Sequence, residues 1–144
     1  MIEQDTIKLL RECDSGVKMG VSSIDEVLDY TSSELLKRSL IDCKLHHEQL
    51  SCDIEQQLHR FKDQGKEPSA MVKGMSWIKT NVMLVMKESD QTIADLITDG
   101  CNMGVKSLSR YLNQYQAADE KAKDIAKKLI AQEEQLCTAV RPYL

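Results

Sequence analysis

The sequence predicts an all-α domain, and three of its features support that prediction. Apolar residues recur every three or four positions over long stretches, the spacing that places them on one face of a helix. Gly and Pro are scarce, at 6 and 2 in 144 residues, whereas an all-β chain needs many turns. The hexamer Cys-x-x-Gly-Val-Lys occurs at residues 13–18 and again at 101–106, which are 101 − 13 = 88 residues apart.

Four long helices are expected, because four apolar stripes of helical period follow one another along the chain. The last of them is expected to end before Pro142. The stripes are Ile7, Leu10, Val17, Val21, Ile24 and Leu28; Leu36, Leu40, Cys43, His47, Leu50, Ile54, Leu58 and Phe61; Ile93, Ile97, Cys101, Val105, Leu108 and Leu112; and Ala122, Ala126, Leu129, Glu133, Leu136 and Val140.

Capping signals predict where these helices begin and end. Thr31 with Glu34 fits a capping box that opens the second helix. Gly65 stands where a left-handed residue would end that helix, and Pro68 follows it. Asp90 is expected to cap the third helix.

The connection between the second and third helices, residues 65–90, is too long for a tight turn. It carries Met71, Met75, Ile78, Val82 and Val85 on one helical face, which predicts a shorter amphipathic helix in a crossover. The first–second and third–fourth connections are short, so each of those pairs is expected to form an antiparallel hairpin.

The crossover helix also predicts self-association. Besides the face at 71–85, this stretch has two further large apolar side chains, Trp77 and Leu84. One short helix seldom hides two apolar faces on the same bundle, and exposed apolar patches commonly mark interfaces. We therefore expect a homo-oligomer.

The doubled hexamer suggests an internal duplication of one helical hairpin. A second repeated motif, Glu-Gln-Leu, occurs at 48–50 and at 134–136. Its offset of 134 − 48 = 86 residues is close to the 88-residue offset of the hexamers. Gly16 and Gly104 are equivalent in the hexamers, and Gly inside a helix costs roughly 1 kcal/mol relative to Ala. Their presence indicates either close helix packing or space kept for something in the bundle, and packing is the expected reason.

Composition bounds the class of protein. The length suits a single domain over residues 1–144, and a net charge of −4 gives no basic footprint for nucleic acid. No apolar run is long enough to span a membrane, and the first residues do not resemble a signal peptide. The five cysteines form no Cys-x-x-Cys pair, so reduced thiols and a cytoplasmic location are expected.

The chain resembles the ferritin-like superfamily, and within it a small bacterial branch of four-helix proteins known mainly as a domain of unknown function. The resemblance rests on LLRECDSGVKMG in the first helix, LHRFKDQGKEP at the end of the second, the Met- and Trp-bearing crossover, and CNMGVKSLSRYL in the third. It implies a ferritin-like four-helix bundle of two antiparallel helical hairpins joined by a long crossover that contains a shorter helix.

Ferritin-like di-iron sites use a Glu from each of two helices and Glu-x-x-His from each of the other two. No Glu-x-x-His occurs in this chain, because Lys44 precedes His47 by three positions and Leu136 follows Glu133 by three. A partial set remains: His47 and Glu133 on core stripes, and Asp14 at the border of the first stripe. These three side chains are expected near one layer, either hydrogen-bonded to each other or holding a single metal ion.

Two functions stay open at this point. The preferred one is a non-catalytic structural or interaction module with no intact di-iron site and no cofactor. The alternative is a metal-binding protein that holds one iron, manganese or zinc ion through His47, Glu133 and Asp14. Catalysis by a cysteine is not expected, since Cys43 and Cys101 lie on core stripes, and Cys52, off the stripe, is expected to be exposed.

Overall fold

The computed structural model describes residues 2–68 and 89–144, and this part of the chain is helical with no strand. The all-α class is therefore confirmed. The predicted crossover helix and the association face at 71–85 lie outside the described residues. The helices are α1 (Ile2–Leu28), α2 (Glu34–Arg60), α3 (Asp90–Gln114) and α4 (Glu120–Val140), followed by a 3-10 turn at Arg141–Tyr143.

The four helices pack side by side around a common core. α1 packs most extensively on α2, and α3 on α4, while contact between α2 and α4 joins the two pairs. α3 starts at the end of the bundle where α1 ends. Asp90, the first residue of α3, accepts hydrogen bonds there from the Ser32 and Ser33 amides. α4 starts at the opposite end, where the amide of Asp119 donates to Thr6 in the first turns of α1. The end of α2 and the start of α3 consequently lie at opposite ends of the bundle.

The predicted stripes form the core, with the stripes of α2 and α4 buried almost throughout. The core has two apolar clusters, one toward each end of the bundle. The first contains Leu9, Leu10, Cys13, Val17, Leu50, Ile54, Leu58, Leu108, Ala118, Ala122, Ile125, Ala126 and Leu129. The second contains Ile24, Val27, Leu36, Leu40, Cys43, Ile93, Ala94, Leu96, Ile97, Cys101, Leu136 and Val140.

The helix caps differ from those expected. Ser33, not Thr31, is the N-cap of α2, and its hydroxyl accepts from the Leu36 amide at 3.2 Å. The Thr31 hydroxyl instead donates to the carbonyl of Val27 at 2.8 Å, an acceptor at the end of α1 that the Tyr30 amide also reaches at 3.0 Å. Ser89, not Asp90, is the N-cap of α3. Several hydroxyls lie near each boundary, and tertiary contacts decide which of them caps the helix.

The end of α2 also differs from the prediction. α2 ends at Arg60, and the left-handed residue that follows is Lys62, with φ 56°. The amides of Lys62 and Asp63 donate to the carbonyls of His59 and Leu58, the two hydrogen bonds of a Schellman motif. Gly65 is left-handed as well, with φ 85°, but it belongs to the turn beyond the helix.

The segment after α2 is bound to α1 by charges. Arg11 makes a bidentate ion pair with Asp63, in which Arg11 Nε lies 3.1 Å from each carboxylate oxygen. The amide of Lys66 donates to the buried carboxylate of Asp14 at 2.9 Å, and Lys18 pairs with the same carboxylate at 2.8 Å. A Cβ on Gly65 would overlap that carboxylate. Asp14 therefore anchors the connection on α1.

Replacing Asp90 by Ala is expected to destabilise the protein by about 1–3 kcal/mol, because two amides at the start of α2 lose a charged acceptor. Urea unfolding followed by circular dichroism measures the change. Asp95→Ala, an exposed carboxylate on the same helix, is the matched control and should change stability by less than about 0.5 kcal/mol. Equal effects of the two substitutions would contradict this role for Asp90.

Candidate functional site

A polar layer separates the two apolar clusters in the middle of the bundle. His47 lies between Cys43 and Leu50 on α2, and Glu133 lies between Leu129 and Leu136 on α4, so each helix changes cluster at that residue. His47 is 0% exposed and Glu133 is 9% exposed. The two side chains meet, with His47 Nε2 2.8 Å from Glu133 Oε1.

The other two helices contribute glycine to this layer. An ideal Cβ on Gly20 of α1 would lie 2.8 Å from His47 Cδ2 and 2.9 Å from Nε2, closer than side chains pack. An ideal Cβ on Gly104 of α3 would lie 3.5 Å from Glu133 Oε2, an ordinary contact. Gly20 therefore lets the backbone of α1 approach the imidazole, whereas packing does not require glycine at position 104.

The second ring nitrogen of His47 faces a thiol. Nδ1 lies 3.6 Å from Cys43 Sγ, one turn earlier on α2. An ionised carboxylate can only accept hydrogen bonds, so Glu133 fixes the proton of the imidazole on Nε2. Nδ1 is then the nitrogen that either accepts from the thiol or, when the ring is protonated, donates to the sulfur. Cys43, His47 and Glu133 thus form a continuous hydrogen-bonded chain across the core.

Burial and charge shift the titration of this layer. Burial lowers the pKa of His47, but the contacts with Cys43 and Glu133 raise it by more, to about 10. A second thiol, Cys101 of α3, is 3% exposed. Burial raises the pKa of Cys101 well above its usual range, and the charge of Glu133 and a hydrogen bond with it act in the same direction. The layer therefore favours a protonated imidazole and a neutral Cys101 thiol near neutral pH.

A cavity of about 400 Å³ lies between α1 and α3, beside this polar layer. Both helices line it with small residues, and an ideal Cβ on Gly100 would have none of the described residues within 4 Å. Its described lining consists of Glu12, Ser15, Gly16, Met19, Gly20, Ser23, Ile24, Cys43, His47, Pro68, Leu96, Ile97, Gly100, Cys101, Met103, Gly104, Ser107, Leu108, Tyr111, Leu129, Glu133 and Leu136. The wall is mostly apolar, and its buried charges come from His47 and Glu133.

The structure brings together two of the three residues predicted as a site. His47 and Glu133 meet in the middle layer, whereas the Asp14 carboxylate binds Lys18 and the amide of Lys66 instead. Within residues 2–68 and 89–144, no group of three or more His, Cys, Asp and Glu side chains is arranged to hold a metal ion. Asp14 lies outside this layer because Lys18 on α1 and the Lys66 amide in the turn after α2 bind its carboxylate.

Three residues of the site were not singled out by sequence reasoning in the roles they have. Gly20, one turn after Gly16 on α1, approaches the imidazole, and Gly16 itself makes an ordinary 3.5 Å contact with Leu129. Cys43 and Cys101 are buried as predicted from their stripes, but they also contact His47 and Glu133. The spacing of Cys43 and His47, one helical turn, was the signal for their contact. Cys52 is exposed, as expected.

Comparison of the chain with protein-family models, with curated proteins and with solved structures gave no significant match. The resemblance to the ferritin-like superfamily therefore stays a prediction. In the described part of the chain, no helix has the length and apolar character needed to cross a membrane.

Gly20→Ala is expected to destabilise the protein by about 1–3 kcal/mol, because the new methyl group collides with a buried ring that is held on both sides. Gly100→Ala is the matched control, since its methyl group would meet no residue of 2–68 or 89–144 within 4 Å and the helix gains roughly 0.8 kcal/mol of propensity. Thermal unfolding of both variants measures the difference. Stabilisation by both substitutions would show that α1 does not approach His47 this closely.

The pH dependence of stability tests the charge of His47. A folded pKa of about 10, above the unfolded value of about 6.5, makes a contribution that is complete below pH 6.5 and lost as pH rises through 10. We expect the free energy of unfolding to fall by on the order of 5 kcal/mol over this range. His47→Gln should remove this part of the slope, as measured by urea unfolding at several pH values. Parallel curves for the two proteins would contradict the raised pKa.

Proposed function

We propose that this chain is a non-catalytic binding module of the ferritin-like type, with two helical hairpins joined by a crossover. The support for the arrangement is the close packing of α1 on α2 and of α3 on α4. A second observation supports the same arrangement: the end of α2 and the start of α3 lie at opposite ends of the bundle. A connection that spans the bundle between the hairpins is the feature that distinguishes this arrangement from a simple up-and-down bundle.

The bound molecule is a small ligand, and the cavity between α1 and α3 is the observation that carries this proposal. Its volume of about 400 Å³ falls within the range of small-molecule sites. Such sites are mostly apolar with a few fixed polar groups. The apolar part of the cavity wall includes Ile24, Ile97 and Leu129. The polar groups are His47 and Glu133. A compact apolar molecule with one hydrogen-bonding group matches this lining.

The proposed module has no di-metal centre. In a di-iron bundle each of the two remaining helices would add a carboxylate to the layer. Here α1 presents Gly20, and a Cβ at this position already overlaps the His47 ring, which leaves no room for a longer side chain. Glu133 is also hydrogen-bonded to His47 rather than open to bridge two ions.

The second candidate function is the binding of one iron, manganese or zinc ion. The observation in its favour is the contact of His47 with Glu133, a ligand pair suited to such ions. Asp14 would have to leave Lys18 and the Lys66 amide to complete the set. Elemental analysis of protein purified without chelator separates the two candidates. About one ion per chain, lost in His47→Ala, would favour this second function.

Self-association and a cytoplasmic location are parts of the proposal that rest on the sequence alone. The face expected to associate, residues 71–85, lies outside the described residues. The expectation of no nucleic-acid partner likewise rests on the net charge of −4.

The ligand proposal is tested with an uncharged apolar fluorophore, N-phenyl-1-naphthylamine, titrated with the protein. We expect saturable binding that a side chain inserted into the cavity abolishes. None of the described residues lies within 4 Å of an ideal Cβ at Gly100, so Gly100→Leu places its side chain in the cavity and should weaken binding by at least about tenfold, roughly 1.4 kcal/mol. Asn102→Leu adds the same side chain at an exposed position two residues away and is the matched control. Equal binding by the wild type and both variants would overturn the proposal.

A further inference from the structure

Three side chains in the middle layer stand in the order thiol, imidazole, carboxylate. Cys43 Sγ lies 3.6 Å from His47 Nδ1, and His47 Nε2 lies 2.8 Å from Glu133 Oε1. This is the arrangement in which a base activates a nucleophile while a third group orients the base. Because Glu133 holds the proton of the ring on Nε2, Nδ1 is directed at the sulfur. An anion on Sγ would therefore be stabilised by an imidazolium N–H.

The same thiol is part of the cavity wall. Cys43 is 7% exposed and lines the space between α1 and α3 together with His47. A small uncharged molecule in the cavity therefore reaches a sulfur that bulk reagents cannot approach. The apolar lining favours a compact, uncharged reactant, and a thiol is a soft nucleophile that adds readily to activated carbon.

We propose that Cys43 is a reactive thiol that binds small, apolar α,β-unsaturated carbonyl compounds covalently inside the cavity. The proposal rests on the proposed function, because it requires the cavity to admit a small ligand. It adds the ligand's chemical class and the atom that bonds to it. The reaction is stoichiometric capture, so the module stays non-catalytic.

The addition balances without a further reactant. Cys43 Sγ forms a bond to the β-carbon as the carbon–carbon π bond breaks, and that electron pair moves onto the α-carbon and carbonyl. Cys43 attacks as the thiolate of a thiolate–imidazolium pair, and the proton that His47 holds on Nδ1 passes to the α-carbon. Nothing is oxidised or reduced overall, and no leaving group has to escape from the cavity.

Cys101 provides an internal control in the same cavity. It is as buried as Cys43 and lines the same space, but its neighbour is the Glu133 carboxylate instead of a ring nitrogen. Burial and that negative charge raise the pKa of Cys101 and disfavour its thiolate. Cys13 is buried outside the cavity lining, and burial raises its pKa to about 12. If Cys43 alone reacts among the buried thiols, the difference therefore measures the effect of the neighbouring imidazole.

The experiment is a short pulse of N-ethylmaleimide, a small uncharged α,β-unsaturated carbonyl compound, on the native full chain, followed by tryptic peptide mapping. Cleavage after Lys and Arg places the five cysteines on five different peptides. We expect Cys43 to be labelled roughly a hundredfold faster than Cys101, the low end of what a positioned acid–base group contributes. Exposed Cys52 serves as the reference for an ordinary thiol. A maleimide coupled to polyethylene glycol, too large for the cavity, should label Cys52 and spare Cys43.

Two variants keep the test independent of folding. His47→Gln and Glu133→Gln should each slow labelling of Cys43 toward the rate of Cys101 while leaving Cys52 unchanged. If His47→Gln fails to fold, Glu133→Gln carries the comparison, because it leaves the imidazole in place and removes the orienting charge. Equal rates at Cys43 and Cys101 in the wild type would overturn the proposal, as would unchanged labelling in a folded variant.

The outcomes also separate this inference from the proposed function. Fluorophore binding without selective labelling of Cys43 would overturn the reactive thiol and leave the binding module standing. Selective labelling of Cys43 that Gly100→Leu blocks and Asn102→Leu does not would support both. Selective labelling without any fluorophore binding would support the thiol and contradict the wider ligand proposal.

Discussion

The contact between His47 and Glu133 is the interaction around which the rest of the bundle is organised. Removing two charges from water costs several kcal/mol per ion, and close pairing with further hydrogen bonds is needed to offset it. The 2.8 Å contact and the Cys43 thiol, 3.6 Å from Nδ1, supply those partners. The layer is accordingly closed by polar groups from α2, α3 and α4, and the apolar core is split into one cluster on each side of it.

The same pair gives two similar thiols opposite environments. Cys43 and Cys101 both come from predicted core stripes and are both buried, so hydrophobic packing alone would treat them alike. The orientation of the ring breaks that symmetry, because one thiol faces a nitrogen that can hold a proton and the other faces a carboxylate that repels a second negative charge. The two thiols thus differ in the charged group that each sulfur faces.

Sequence reasoning predicted the helices, the buried stripes, and the inward position of His47 and Glu133, because a helical period fixes which side chains face the core. It did not predict the partner of Asp14, which is an amide in the turn after α2, or that Ser33 would be preferred to Thr31 as a cap. Those outcomes depend on groups distant in sequence or on competition between adjacent hydroxyls. Gly20 was missed for a related reason, since only the helix arrangement shows that its backbone meets the His47 ring.

Stability alone does not explain why this layer is polar. Replacing a buried ion pair by apolar side chains of similar volume is often neutral or stabilising, and glycine inside a helix costs roughly 1 kcal/mol relative to alanine. The middle of this bundle nevertheless has a buried imidazole and carboxylate. α1 and α3 face the adjoining cavity with glycines, and one of these, Gly100, has none of the described residues within 4 Å of its ideal Cβ position. Close packing accounts for Gly20, but contacts within the described part of the chain do not account for Gly100. A site that admits a small molecule to the polar layer accounts for the charges, the glycines and the cavity together.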